Sequence, residues 1–160
     1  MTEAAENTPT RPGKNKKVAL AFLLVAIIGA GVIYCSHREL RPPLGWIDDD
    51  LPEAMRLAKQ RSANVVVFFV AIPPSEAGRW LRDGTLSKEA NTQALKDGNF
   101  VGVMVRVPRS RRSEIASEFD VTEFPTTLIL SPEGEELNRR EGKIGETDFR
   151  NSFLAEAMPR

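Results

Sequence analysis

Residues 64–72 read NVVVFFVAI and are followed at once by Pro73 and Pro74. The run is apolar throughout and rich in β-branched and aromatic side chains, yet too short to cross a bilayer as a helix. It therefore predicts a central strand buried on both faces, the kind found in parallel sheets covered by helices. The two prolines must end it, because neither donates a ladder hydrogen bond.

Upstream, Asp48, Asp49 and Asp50 precede Leu51, Ala54, Met55, Leu57 and Ala58, which fall at helical spacing. An acidic cap accepts free amides and suits the positive helix end, and Pro52 is tolerated in a first turn, so a helix is expected from there to about Ser62. A cation site is the rival reading of the three acids, but adjacent side chains diverge, which favours capping.

Downstream, Ser75 to Lys96 reads as a helix, a break at Asp83-Gly84 and a second helical piece. Phe100 to Val107 is the next strand, Ser110 to Phe119 a short helix and Thr126 to Leu130 a strand. A turn at Pro132 to Glu135 leads to a partner strand over Glu136 to Arg140, and Thr147 to Ala157 closes as a helix. The order is α-β-α-β-α-β-β-α, with an extra short strand expected near Trp46. Such alternation, ending in a hairpin, predicts an α/β three-layer sandwich with a mixed sheet.

Three stretches carry a family likeness: FFVA running into a proline-marked turn and a helix, then DVTEFPTTLILSPEGEE, then REGKIGETDFRNSFL. Together they resemble the thioredoxin fold: the strand leading to its redox motif, the segment around its cis-proline, and the last strand with its glycine and closing helix. The helix DLPEAMRLAKQ and the TLS of residues 85–87 are most similar to exported members, such as the terminal domain of the membrane disulfide-interchange reductase. The resemblance spans Trp46 to Leu154. It implies that the two redox cysteine positions fall on Ser75 and Gly78 when counted back from Thr85, or on Pro74 and Ala77 when counted from Phe69. Neither registration supplies a thiol. Family redox activity is thus not implied, since that chemistry needs a low-pKa thiolate at a helix N-terminus and a second thiol to resolve the mixed disulfide.

Composition narrows the chemistry further. Of 160 residues, one is cysteine and one histidine, and Lys plus Arg balance Asp plus Glu at 22 each. Cys35 and His37 both adjoin another apolar run, so the globular part holds neither type. That excludes Ser-His-Asp and Cys-His catalysis there, together with thiolate or imidazole metal cages. No catalytic residue, metal or cofactor is expected. Ser75 is a poor nucleophile without a base and reads as a helix cap. The neutral charge leaves no global field to attract nucleic acid.

The second apolar run, Val18 to Cys35, contains no charge and as a helix would extend about 27 Å, enough to cross the hydrocarbon core. Arg11, Lys14, Lys16 and Lys17 precede it and only Arg38 and Arg41 follow closely, which predicts a cytoplasmic N-terminus and a periplasmic or otherwise extracytoplasmic domain. The run is longer than a signal-peptide core, IYCSHR offers no small-x-small cleavage site, and Tyr34 is too large for the residue before a lipidated cysteine. Residues 1–17 are expected to be a disordered tail, residues 18–35 the membrane helix, residues 36–45 a spacer stiffened by Pro42-Pro43, and residues 46–158 the domain.

The expected function is that of a membrane-anchored, non-catalytic module binding an exported protein or peptide, an adaptor or holdase in the cell envelope. In the thioredoxin family the backbone beside the cis-proline pairs with an extended substrate, which implies a peptide role for Phe124, Pro125 and Thr126; the alternative is that Pro125 only shapes the turn into the next strand. RVPRSRR places Arg106, Arg109, Arg111 and Arg112 near the same end of the sheet, either to meet an acidic partner or lipid headgroups or as a solvated loop offset by Glu114 and Glu118. Trp46 and Trp80 are core-filling or exposed recognition aromatics. Two other functions stay open: thiol–disulfide chemistry through Cys35, and a structural subunit of a membrane complex.

Overall fold

The computed structural model describes residues 40–110 and 113–158. The chain runs β1 (Ile47–Asp48), α1 (Leu51–Arg61), β2 (Asn64–Ile72), α2 (Glu76–Leu81), α3 (Glu89–Asp97), β3 (Phe100–Pro108), α4 (Glu114–Glu118), β4 (Thr126–Leu130), β5 (Glu136–Glu141) and α5 (Glu146–Asp148). The five strands form one sheet in the order β1-β3-β2-β4-β5. β2 pairs in parallel with β3 and antiparallel with β4, and β4 pairs antiparallel with β5. The sheet is thus mixed, with 64–72 at its centre.

The pleat sends alternate side chains of β2 into two cores. Val66, Phe68 and Val70 pack with Leu81, Leu86, Leu95, Phe149 and Phe153 on one face. Val65, Val67 and Phe69 pack with Leu51, Ala54, Ala58 and Ala116 on the other. Helices on both sides complete the three-layer arrangement. No residue of β2 from Val65 to Ala71 exceeds 1% exposure, which is why the segment reads as an unbroken apolar run rather than an alternating one.

Three local differences from the sequence expectation have physical causes. At Asp83-Gly84 the helix widens instead of breaking: Arg82–Leu86 form a π-helical turn in which Ser87 N donates to Arg82 O at 2.9 Å. The closing helix also changes its tightness of winding, passing from α5 through a π-helical stretch at Phe149–Leu154 to a 3₁₀ turn at Ala155–Ala157. The segment expected as a spacer is packed onto the domain from Leu40, which is 4% exposed and joins the core of Phe68 and Met104. Gly45 takes a positive φ of 82° and Trp46 N donates to Pro43 O at 3.1 Å, so the prolines make a turn that folds the chain back. The domain therefore starts upstream of Trp46.

Among the described residues no helix is long and apolar enough to cross a membrane. The expected tail, membrane helix and first spacer residues, with Cys35 and His37, lie outside the described residues, as do Arg111 and Arg112.

Candidate functional site

The register brings three loops to one end of the sheet. Ile72, the last residue of β2, is opposite Pro108, the last of β3, and Arg109 N donates to Ile72 O at 3.2 Å. On the other flank Phe69 is opposite Thr126, the first residue of β4. The loops holding Ser75, Arg109 and Pro125 therefore all leave or enter at the carboxyl end of the parallel strands, where ligands of open α/β sheets gather.

Ser75 is the N-cap of α2, with extended backbone and its Oγ accepting the Gly78 amide at 3.1 Å. The hydroxyl is thereby committed to the helix end. Gly78 is buried, and a Cβ built there would lie 3.0 Å from Val70 Cγ2 and 3.5 Å from Ser75 Oγ. Of the residues in the two registrations, Ser75 is the helix cap and Gly78 supplies the amide it accepts. Pro74 precedes the cap and Ala77 lies within the first turn.

The Phe124–Pro125 peptide bond is cis, as is Ile72–Pro73. Pro125 is buried and its carbonyl accepts from Gly142 N at 2.7 Å. Thr126 is fully buried, its Oγ1 donates to Glu123 O at 2.7 Å, and its backbone is flanked by Phe69 and Glu141. Only Phe124 of the three is left with neither amide nor carbonyl hydrogen-bonded among the described residues, and it is half-buried.

The arginines separate in the same way. Arg106 shows only 17% of its side chain and is engaged inside the fold, paired with Asp48 and donating from Nη2 to Leu40 O at 3.1 Å. Its own amide donates to Asp49 Oδ1 at 2.8 Å. Asp48 and Asp49 are therefore occupied with β3, while Asp50 caps α1 by accepting the Glu53 amide at 2.9 Å. Among the described residues no three metal-ligating side chains converge. Arg109 is exposed and carries the loop's positive charge alone among the described residues.

Two residues near this end were not grouped by sequence reading. Trp46 is buried against Gly102, but Trp80 on α2 is 41% exposed. Lys143 Nζ lies 5.3 Å from the Trp80 ring centroid, a cation–π contact worth about 0.5–1 kcal/mol at an exposed site. A lone lysine after a glycine carries no sequence signal of such a contact. A cavity of about 610 Å³ lies away from these residues, between α1, α4 and the turn after β4, and is lined by Met55, Ile115, Phe119 and Gly134.

No family model and no curated protein matches this chain. Solved structures do. A thioredoxin from Thermus thermophilus aligns with a TM-score of 0.59 at 24% identity, over 71% of this chain and 88% of that one. A DsbH oxidoreductase aligns at 0.59 and 17% identity, over 77% and 93%. The C-terminal domain of DsbD from Neisseria meningitidis, in its reduced form, aligns at 0.57 and 17% identity, over 69% and 98%. The domain has the thioredoxin-like fold, without a Cys-x-x-Cys motif. At these identities the likeness speaks for the fold alone.

Proposed function

We propose that this thioredoxin-like domain, tethered to a membrane by the apolar run at 18–35, holds extended segments of exported proteins without thiol chemistry, as an adaptor or holdase of the cell envelope. The supporting observation is a pairing: Ser75 caps α2 through the Gly78 amide, while Phe124 at the same end of the sheet has backbone groups without a partner among the described residues. With the helix end satisfied by a hydroxyl and no thiolate to attack, electron transfer has no carrier there. Serine has no histidine base in the domain to activate it. What the site retains is a main-chain donor and acceptor at the end of a rigid sheet, which is what strand addition uses. The charge asymmetry around 18–35 puts the domain on the extracytoplasmic side in this reading.

Two measurements test it. The full chain is expected to show no insulin reduction; robust turnover abolished by Cys35→Ser would replace the binding role with a redox one. A photo-crosslinker at Phe124 or Arg109, activated in native membranes, is expected to capture one discrete protein. Labelling no different from that of a crosslinker at exposed Lys59 would favour a structural subunit instead.

A further inference from the structure

We propose that Trp80 and Lys143 form a side wall to the Phe124 edge and select extended segments that carry an acidic residue two positions from an apolar one. This rests on the peptide-holding reading above and names the client chemistry. Gly142 N is bonded to Pro125 O at 2.7 Å, so the loop after β5 is fastened beside Phe124. The very next residue places its ammonium 5.3 Å from the Trp80 ring centroid. That ring belongs to the helix capped by Ser75 and lies back over Gly84, where a Cβ would meet it at 3.4 Å. The end of α2 at Trp80, residues 142–143 and the Phe124–Pro125 edge are thus linked in sequence, through the Lys143–Trp80 contact and the Gly142–Pro125 hydrogen bond.

This linked set is open and chemically divided. A Cβ at Gly142 would meet nothing within 4 Å, so the chain is uncovered on that side of the residue bonded to Pro125. Trp80 supplies apolar surface, being 41% exposed where the buried Trp46 is 9%. Lys143 supplies positive charge: among the described residues it forms no ion pair, and neither Glu123 nor Glu141 reaches it. In an extended segment, residues i and i+2 point the same way about 7 Å apart, a spacing that sets one beside the ring and the other beside the ammonium. A client carboxylate draws Lys143 off the indole face and leaves that face to the apolar neighbour. Exposed Arg109 at the same end of the sheet adds to the preference for acidic segments.

The test uses the full chain and short peptides in a common Gly-Ser frame bearing Asp-x-Phe, Asn-x-Phe or Asp-x-Ser. Calorimetry gives affinities, and tryptophan emission reports on Trp80, the more exposed of the two indoles. Asp-x-Phe is expected to bind about fivefold tighter than Asn-x-Phe, with the gap closing in high salt and in Lys143→Gln. Trp80→Ala should weaken Asp-x-Phe to the level of Asp-x-Ser, and Trp80→Phe should restore most of it. Undiminished Asp-x-Phe binding in both Lys143→Gln and Trp80→Ala would remove the wall and leave the Phe124 edge standing. Absence of binding by every peptide, together with no crosslinked partner from Phe124, would remove both.

Discussion

Ser75 Oγ accepts the Gly78 amide at 3.1 Å, so this hydroxyl is spent on closing a helix end. A cap of this kind contributes about 1 kcal/mol. Ser75→Ala is expected to lower the unfolding free energy by that amount, seen as a lower urea midpoint at an unchanged slope, and Ser75→Asp to retain stability. A catalytic hydroxyl would not tolerate Asp. A Ser75→Asp variant that folds but loses client capture would move Ser75 from the scaffold into the binding site.

Arg106 and Arg109 lie three residues apart in one arginine-rich stretch and are expected to behave oppositely. Arg106 joins β3 to Asp48 and to the Leu40 carbonyl, and its removal strands a carbonyl and an aspartate. Arg106→Ala should cost about 1.5–3 kcal/mol in chemical denaturation, and Arg106→Lys should not rescue it, because one ammonium cannot span both acceptors. Arg109→Ala should stay within about 0.5 kcal/mol of the parent, as surface substitutions do. Equal stability losses at the two positions would contradict the assignment.

Gly102 on β3 has no room for a side chain: a Cβ there would lie 2.5 Å from Cδ2 of Trp46. Gly102→Ala must push the indole outward, at a cost of about 1–3 kcal/mol typical of overpacking. Near-ultraviolet circular dichroism and a red shift of tryptophan emission would report the displacement. An unshifted spectrum with parent stability would mean that Trp46 is not held as described.

The fold was legible because its decisive element is simple: a strand buried on both faces needs no periodicity, only an apolar run and a stop, and 64–72 has both. Pattern also located the cap within Asp48 to Asp50, where Asp50 proves to fill it, and the turn after β4. What pattern missed were contacts between distant segments. Leu40 looks like a spacer residue until Arg106, far along the chain, donates to its carbonyl. Asp48 and Asp49 look like cap residues until β3 is placed beside them. Asp83-Gly84 looks like a break because composition does not distinguish a π-helical turn from a helix end. Of the candidate site, residue types and the family likeness named Ser75, Gly78, Phe124 and Pro125, but only the packing showed the Phe124 backbone without partners among the described residues and joined Lys143 to Trp80.

If the scaffold lacks only its sulfurs, restoring them should restore thiol chemistry and nothing else need change. A Cβ at position 78 would lie 3.5 Å from Ser75 Oγ, which brings the two side chains within the short reach a disulfide needs. The obstacle is Val70 Cγ2, 3.0 Å from that Cβ, an aliphatic branch that must give by a few tenths of an ångström. In a Cys35→Ser background, the double variant Ser75→Cys with Gly78→Cys is expected to close an intramolecular disulfide under mild oxidant, seen as loss of titratable thiol and of two hydrogens in mass. The thiol at position 75, at a helix N-terminus, should ionise below the ordinary value of about 8.5. Neither single variant should form a monomeric disulfide. Two thiols that remain free under oxidant, in a protein that is otherwise folded, would mean that residues 75 and 78 do not share the geometry of the redox pair, and the equivalence on which the non-catalytic reading rests would be lost.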